Sequence, residues 1–338
     1  MKFGPLPALV LGFGILSGVL TSTPAHAISE KDYAAVFLNT VIPFLHTGDA
    51  YLFSTRDGLN LSGVRFIHPN AKGTIVIVPG RSEPWVKYAE VFYDLYQDGY
   101  SIYCYDHRGQ GMSPHLSSVS PQIEYVADFN DYTRDLEDFM REIVLPAGDA
   151  NLFLLAHSMG GGIASQYLTR GENPFKAAVL SAPMLTINTK PYSIPVAEAI
   201  TAAAIDIGLG EHYALGQKDY DPKSNDVTSS PERFWMEGAI FKMYPQTIIG
   251  GASSGWVHRA LVGTAKIRRK MKNVTTPVLM FQAGKDQLVM PSGENQGCAA
   301  AKSCKLMVFP ESQHEILMEK DAIRGPALQA IESFFQAR

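Results

Sequence analysis

A serine hydroxyl is a weak nucleophile until geometry and a neighbouring base activate it. The stretch from Asn151 to Gly162 is suited to supply that geometry. It reads Asn-Leu-Phe-Leu-Leu-Ala-His-Ser-Met-Gly-Gly-Gly, an apolar run that stops at Ser158 and gives way to glycines. This is the layout of a nucleophile elbow, a strand–turn–helix that presents a serine on a sharp turn at a strand end. The elbow pattern is G-x-S-x-G, and Ala156 stands here in place of the first glycine. Residues two before and two after the serine must be small because the turn packs tightly, and alanine is the least disruptive replacement. Ser158 could instead be a plain helix N-cap, a position serine favours. Its context favours the elbow. The preceding run is almost wholly apolar, as a strand buried between helices should be. Ile163, Ala164, Tyr167 and Leu168 follow at helical spacing.

Such a serine needs a base, and the base needs an orienting carboxylate. In folds built around this elbow the chain order is Ser, then Asp or Glu, then His. Asp286 and His314 fit that order, each just past an apolar run that reads as a parallel strand, where such sheets place their ligands. Alone, a loop aspartate is usually a turn residue and a loop histidine a solvated side chain. Order, strand-end placement and elbow together make the joint reading stronger. His107 precedes the elbow, His212 and His258 precede Asp286, and His157 adjoins the serine and is expected to shape the pocket wall. Asp106 precedes Ser158 and reads as a structural turn carboxylate. The tetrahedral intermediate needs two N–H donors. Met159, after the nucleophile, would supply one; Arg81, in the loop Pro79–Glu83, would supply the other, with Gly80 allowing the turn.

The elements that must position these residues alternate. Residues 51–67 read as two strands around a turn at Asp57-Gly58. Further strands are expected at Thr74–Val78, Ser101–Tyr105, Leu152–Ala156, Ala177–Ser181, Val278–Gln282 and Lys305–Phe309. Helical spacing covers Trp85–Asp98, Glu124–Ile143, a segment after Pro291, and Lys320–Gln336. The alternation predicts an α/β protein with a mainly parallel sheet covered by helices on both faces. It breaks between Pro183 and about Thr276, which reads as a helical cap insertion at about 184–265.

With 338 residues, 46% hydrophobic and 18% charged, the chain can bury a large core. The net charge of -4 and the lack of a large basic block argue against a nucleic-acid partner. The cluster Lys266, Arg268, Arg269, Lys270 and Lys272 could meet anionic headgroups but reads first as a solvated helix face. Residues 1–27 have a positive start, an apolar run and Ala25-His26-Ala27, and so read as a signal peptide cleaved after Ala27, leaving a domain over 28–338. Export to the periplasm is then expected; the alternative is an uncleaved segment held at the inner membrane. Cys298 and Cys304 could pair in an oxidising compartment or remain two free thiols, and Cys104 reads as a buried thiol. No Cys/His cluster has metal-ligand spacing. No feature of the sequence sets an oligomeric state.

Several blocks resemble the bacterial lysophospholipase branch of the monoacylglycerol-lipase-like α/β-hydrolases. These are Val78-Pro79-Gly80-Arg81, Lys87-Tyr88-Ala89-Glu90, Asp106 to Ser113, Ala156 to Gly161, and Gln313 to Leu317 with Glu319-Lys320-Asp321. The resemblance spans roughly 50–338. It implies a cofactor-free, metal-free serine ester hydrolase acting on single-chain lipids. It implies Ser158 as nucleophile, His314 as base, Asp286 as orienting acid, and Arg81 and Met159 as oxyanion donors. Pro79 and Arg81 depart from the H-G-x-G loop of monoacylglycerol lipases, which points to the lysophospholipase branch and a more cationic rim. Insertion residues Phe234, Trp235, Met236, Phe241, Met243, Ile248 and Ile249 would line an acyl pocket or simply form the insertion's own core. The apolar run Ile194–Ile207 could touch a membrane surface transiently. A monoacylglycerol lipase, a broad carboxylesterase, an acyltransferase or a non-catalytic lipid-binding protein are the alternatives.

Overall fold

The computed structural model describes residues 27–338. Apart from Ala27, the expected signal peptide lies outside the described residues. Eight strands form one sheet: β1 (Asp49–Ser54), β2 (Asn60–Phe66), β3 (Gly73–Val78), β4 (Tyr100–Tyr105), β5 (Leu152–His157), β6 (Phe175–Ser181), β7 (Val278–Ala283) and β8 (Cys304–Phe309). Their spatial order is β1-β2-β4-β3-β5-β6-β7-β8. β2 runs antiparallel to β1 and β4, and every later neighbouring pair is parallel. Every residue of β3, β4, β5 and β7 is buried. A strand covered on both faces has no polar side to show, which is why these segments read as unbroken apolar runs.

The helices are α1 (Tyr33–Val36), α2 (Ile42–Leu45), α3 (Ala89–Gln97), α4 (Asn130–Phe139), α5 (Ser158–Leu168), α6 (Ile194–Asp206), α7 (Pro231–Met243), α8 (Ser254–Lys270), α9 (Pro291–Ala300) and α10 (Asp321–Gln336). α6, α7 and α8 all belong to the connection between β6 and β7. This topology is that of an α/β-hydrolase. Arg268, Arg269 and Lys270 close the last turn of α8, where positive charge complements the helix dipole.

Two expected helices differ in extent. Trp85–Tyr88 is a 3-10 turn leading into α3. The helix expected from Glu124 begins at Asn130. Glu124 pairs outward: its N–H donates to Gly251 O (3.2 Å) and its carbonyl accepts the Ser253 N–H (2.9 Å). Asp128 then accepts the Asn130 N–H (3.0 Å), starting the helix there. Val126 and Phe129 are buried all the same, so burial on one face gave a non-helical segment the spacing of a helix.

Cys298 and Cys304 form a disulfide with Cα atoms 5.3 Å apart, joining α9 to the start of β8. Cys104 is buried in β4, and burial pushes its thiol up.

Candidate active site

Ser158 opens α5 directly after β5, with φ 50°. A non-glycine residue in that region costs about 1–3 kcal/mol and persists only where its surroundings fix it. The surroundings do so here. Ala156 is paired with Val78 on one side and Leu180 on the other. The Ser158 carbonyl accepts the Met184 N–H (2.8 Å). A Cβ on Gly160 would fall 2.2 Å from Val78 O and 2.3 Å from Pro79 O, so the second small position of the elbow admits only glycine. Ala156 is fully buried and tolerated.

The loops after β7 and β8 deliver the other two groups. They are tied together by the Lys285 N–H, which donates to Ser312 O (2.8 Å). His314 Nε2 lies 2.7 Å from Ser158 Oγ, and its Nδ1 lies 2.6 Å from Asp286 Oδ2. The remaining Asp286 oxygen accepts the N–H groups of Leu288 (2.8 Å) and Val289 (3.0 Å). Burial works to raise the Asp286 carboxyl, but the His314 hydrogen bond and charge, with these two N–H groups, hold it below its ordinary value. An ionised Asp286 accepts the Nδ1–H, which fixes the tautomer. Nε2 then carries the lone pair facing the serine hydroxyl, where it can take a proton. Sequence order had joined these three residues, and the structure brings them together.

Met159 directly follows Ser158 in α5, and Arg81 lies in the loop after β3. The Met159 N–H is in the first turn of α5, where N–H groups have no intrahelical acceptor. Arg81 follows β3, the neighbour of β5. On either side of it the Gly80 N–H is bound to Glu83 (2.7 Å) and the Ser82 N–H to Gln110 (3.0 Å). The Arg81 side chain turns away from a free cationic role. Its Nη1 contacts the buried Glu124 carboxylate (3.3 Å) and Gly250 O (3.0 Å), so the expected cationic rim is largely neutralised.

A family model described as "Serine aminopeptidase, S33" matches residues 69–321. The chain belongs to this α/β-hydrolase family. Lysophospholipase L2 of Escherichia coli (strain K12) is 31% identical over 322 residues, covering 90% of this chain and 93% of that protein. The probable lysophospholipase L2 of Haemophilus influenzae is 27% identical, covering 92% and 99%. A soluble variant of monoglyceride lipase from Saccharomyces cerevisiae, solved with a substrate analogue, superposes with a TM-score of 0.68 at 19% identity, covering 86% of this chain and 96% of that one.

This hydrolase braces the loop after β3 with residues that sequence reasoning did not assign. His107 Nε2 donates to Pro79 O (2.9 Å) and Gln110 Nε2 to Gly80 O (2.9 Å). Asp106 is the structural carboxylate expected of it. It accepts the Trp85 and Met112 N–H groups (2.5 and 2.7 Å), and burial pushes it up to about 7 against their pull. The signal was their position after β4, the strand beside β3. His157 forms a wall, its ring centroid 4.8 Å from that of His314. Burial pushes its imidazole down to about 4. It is therefore neutral at pH 7, and its Nδ1–H donates to Ser181 O (3.1 Å).

Proposed function

We propose that the protein is a lysophospholipase that releases a fatty acid through an acyl-serine intermediate. Ser158 is the nucleophile, His314 the base, Asp286 the orienting acid, and Arg81 and Met159 N–H the oxyanion donors. The observation that carries this reading is the 2.7 Å and 2.6 Å chain from Ser158 through His314 to Asp286. As Ser158 Oγ attacks the ester carbonyl, its proton passes to His314 Nε2. The tetrahedral oxyanion collapses, and the glycerol-side alcohol leaves with that proton. Water then gives a proton to His314, attacks the acyl-serine, and frees the fatty acid and the Ser158 hydroxyl.

The lysolipid preference rests on the names of the relatives, which cover nearly the whole chain. The β6–β7 connection serves as a cap. Met236, Phe241 and Ile249 are buried there, Phe234 and Ile248 are half-buried, and Trp235 and Met243 are exposed. Only Ala197 and Thr201 of α6 are buried, while Val196 and Ile200 and the following Ile207 are exposed, a face suited to transient contact with a lipid aggregate. The Cys298–Cys304 disulfide supports residence in an oxidising compartment such as the periplasm.

Fatty-acid release from lysophosphatidylcholine and from monoacylglycerol, and amine release from an amino-acid amide, measured side by side with Ser158→Ala, test the reading. Turnover of the lysolipid that vanishes in the variant is expected. Preference for the monoacylglycerol would move the assignment to a monoglyceride lipase, and amide turnover to a peptidase. Release that survives Ser158→Ala would overturn the mechanism.

A further inference from the structure

Three carboxylates from three separate segments meet on one buried ammonium. Lys87 is 3% exposed. Its Nζ lies 2.6 Å from Glu315 Oε1, 2.7 Å from Glu237 Oε2 and 3.2 Å from Glu83 Oε1. Glu315 directly follows His314. Glu237 belongs to α7. Glu83 closes the loop that carries Arg81, and its other oxygen accepts the Gly80 N–H (2.7 Å) and the Tyr88 hydroxyl (2.6 Å). A Cβ on Gly80 would fall 2.5 Å from that oxygen, so loop and carboxylate are in close contact. Glu83, Tyr88, His157 and Glu315 also line a cavity of about 10 Å³, room for about one water molecule.

A buried ion cluster is a poor means of stabilising a fold, because desolvation offsets most of the attraction. What it supplies is a fixed point. Burial and the charges of Glu83 and Glu237 push the Glu315 carboxyl up to about 8 against the pull of Lys87, so the three acidic groups are crowded together and the segments bearing them would separate without the cation between them. We propose that Lys87 is a positioning residue. By holding Glu83 and Glu315 it sets the Arg81 N–H and the His314 imidazole in register with Ser158, and through Glu237 it couples that register to α7. The inference rests on the serine-hydrolase reading above, with Arg81 as an oxyanion donor.

The test uses matched soluble oxo-ester and thiono-ester substrates on the full chain. An oxyanion hole built for oxygen favours the oxo-ester, and a displaced donor loses that discrimination. Lys87→Met is expected to lower oxo-ester kcat by about 10–100-fold, the scale of a misplaced group. KM should stay within about threefold, and the oxo-to-thiono ratio should fall. Lys87→Arg should recover part of both. If Lys87→Met does not fold, Glu83→Gln carries the test. Its single acceptor oxygen can serve either Lys87 or the Gly80 N–H, so the same change in kcat and ratio is expected. A folded variant with the wild-type ratio, or a loss confined to KM, overturns the proposal. Ser158→Ala is run beside them: turnover surviving there refutes the serine-hydrolase reading itself, a result distinct from failure of the Lys87 variants.

Discussion

Replacing Asp286 by asparagine changes neither size nor shape, yet it should cost nearly all activity. The carboxylate meets three demands with its two oxygens. Oδ2 faces His314 Nδ1 at 2.6 Å, and Oδ1 accepts two backbone N–H groups at 2.8 and 3.0 Å. An amide has one acceptor oxygen. Turned toward His314, that oxygen would leave the NH₂ against both the Leu288 and Val289 donors. Turned toward the backbone it satisfies two donors and presents NH₂ to the imidazole. The second arrangement wins on hydrogen-bond count, and it forces the proton from Nδ1 to Nε2. His314 would then donate to Ser158 Oγ and could not accept its proton. A wrong tautomer of this kind costs about 10⁴-fold in kcat, or about 5.4 kcal/mol of transition-state stabilisation. The assay is steady-state ester hydrolysis together with the rate of Ser158 labelling by a fluorophosphonate, both referred to wild type. KM should be little changed, because Asp286 contacts no substrate in the mechanism. An Asp286→Asn enzyme that keeps more than about a tenth of wild-type kcat would refute the tautomer argument and the role of Asp286 with it.

Two further outcomes follow from the packing. Gly160→Ala should destabilise the fold by about 1–3 kcal/mol or more and suppress Ser158 labelling. Its Cβ would meet the Val78 and Pro79 backbone oxygens at 2.2 and 2.3 Å, atoms that cannot rotate away; thermal denaturation and labelling stoichiometry check it, and an unchanged Tm would contradict the close approach. Glu294 reports on pH. Burial pushes its carboxyl up to about 8, against the pull of the Gln282 amide at 2.8 Å. The folded state therefore holds a proton that the unfolded chain has already lost, and this group's contribution to stability falls as pH rises from about 4.5 to about 8. Glu294→Gln removes that titration, so the Tm of the variant relative to wild type should rise between pH 5 and pH 9; a constant difference would show that Glu294 does not titrate abnormally.

The parts of this protein that could be read from sequence are those where one local rule acts alone. Strands β3, β4, β5 and β7 are buried on both faces, so their apolar runs stand out and their ends are sharp. Ser158 and Asp286 were legible because each follows such a strand; His314 follows the half-exposed edge strand β8, and chain order selects it among the histidines. The first six residues of the Glu124–Ile143 segment were not legible. Val126 and Phe129 face the core whether or not the backbone is helical, and the isolated bridge of Glu124 to Ala252 is set by residues far along the chain. The same reason hides the supports of the site. Lys87 and Glu83 are four apart, one at the start of an expected helix and the other in the loop before it, and that spacing alone marks them as no more than a surface ion pair. Glu237 and Glu315, which make Lys87 a junction, lie far away in sequence. Chemistry performed by a residue leaves a mark on its own neighbourhood in the sequence, whereas positioning is shared among segments and leaves its mark only where they meet. Burial distinguishes the two. An exposed i, i+4 pair contributes about 0.3–0.5 kcal/mol and can be lost without consequence. Lys87, 3% exposed among three acidic side chains, cannot leave without stripping a buried cluster of its counter-charge.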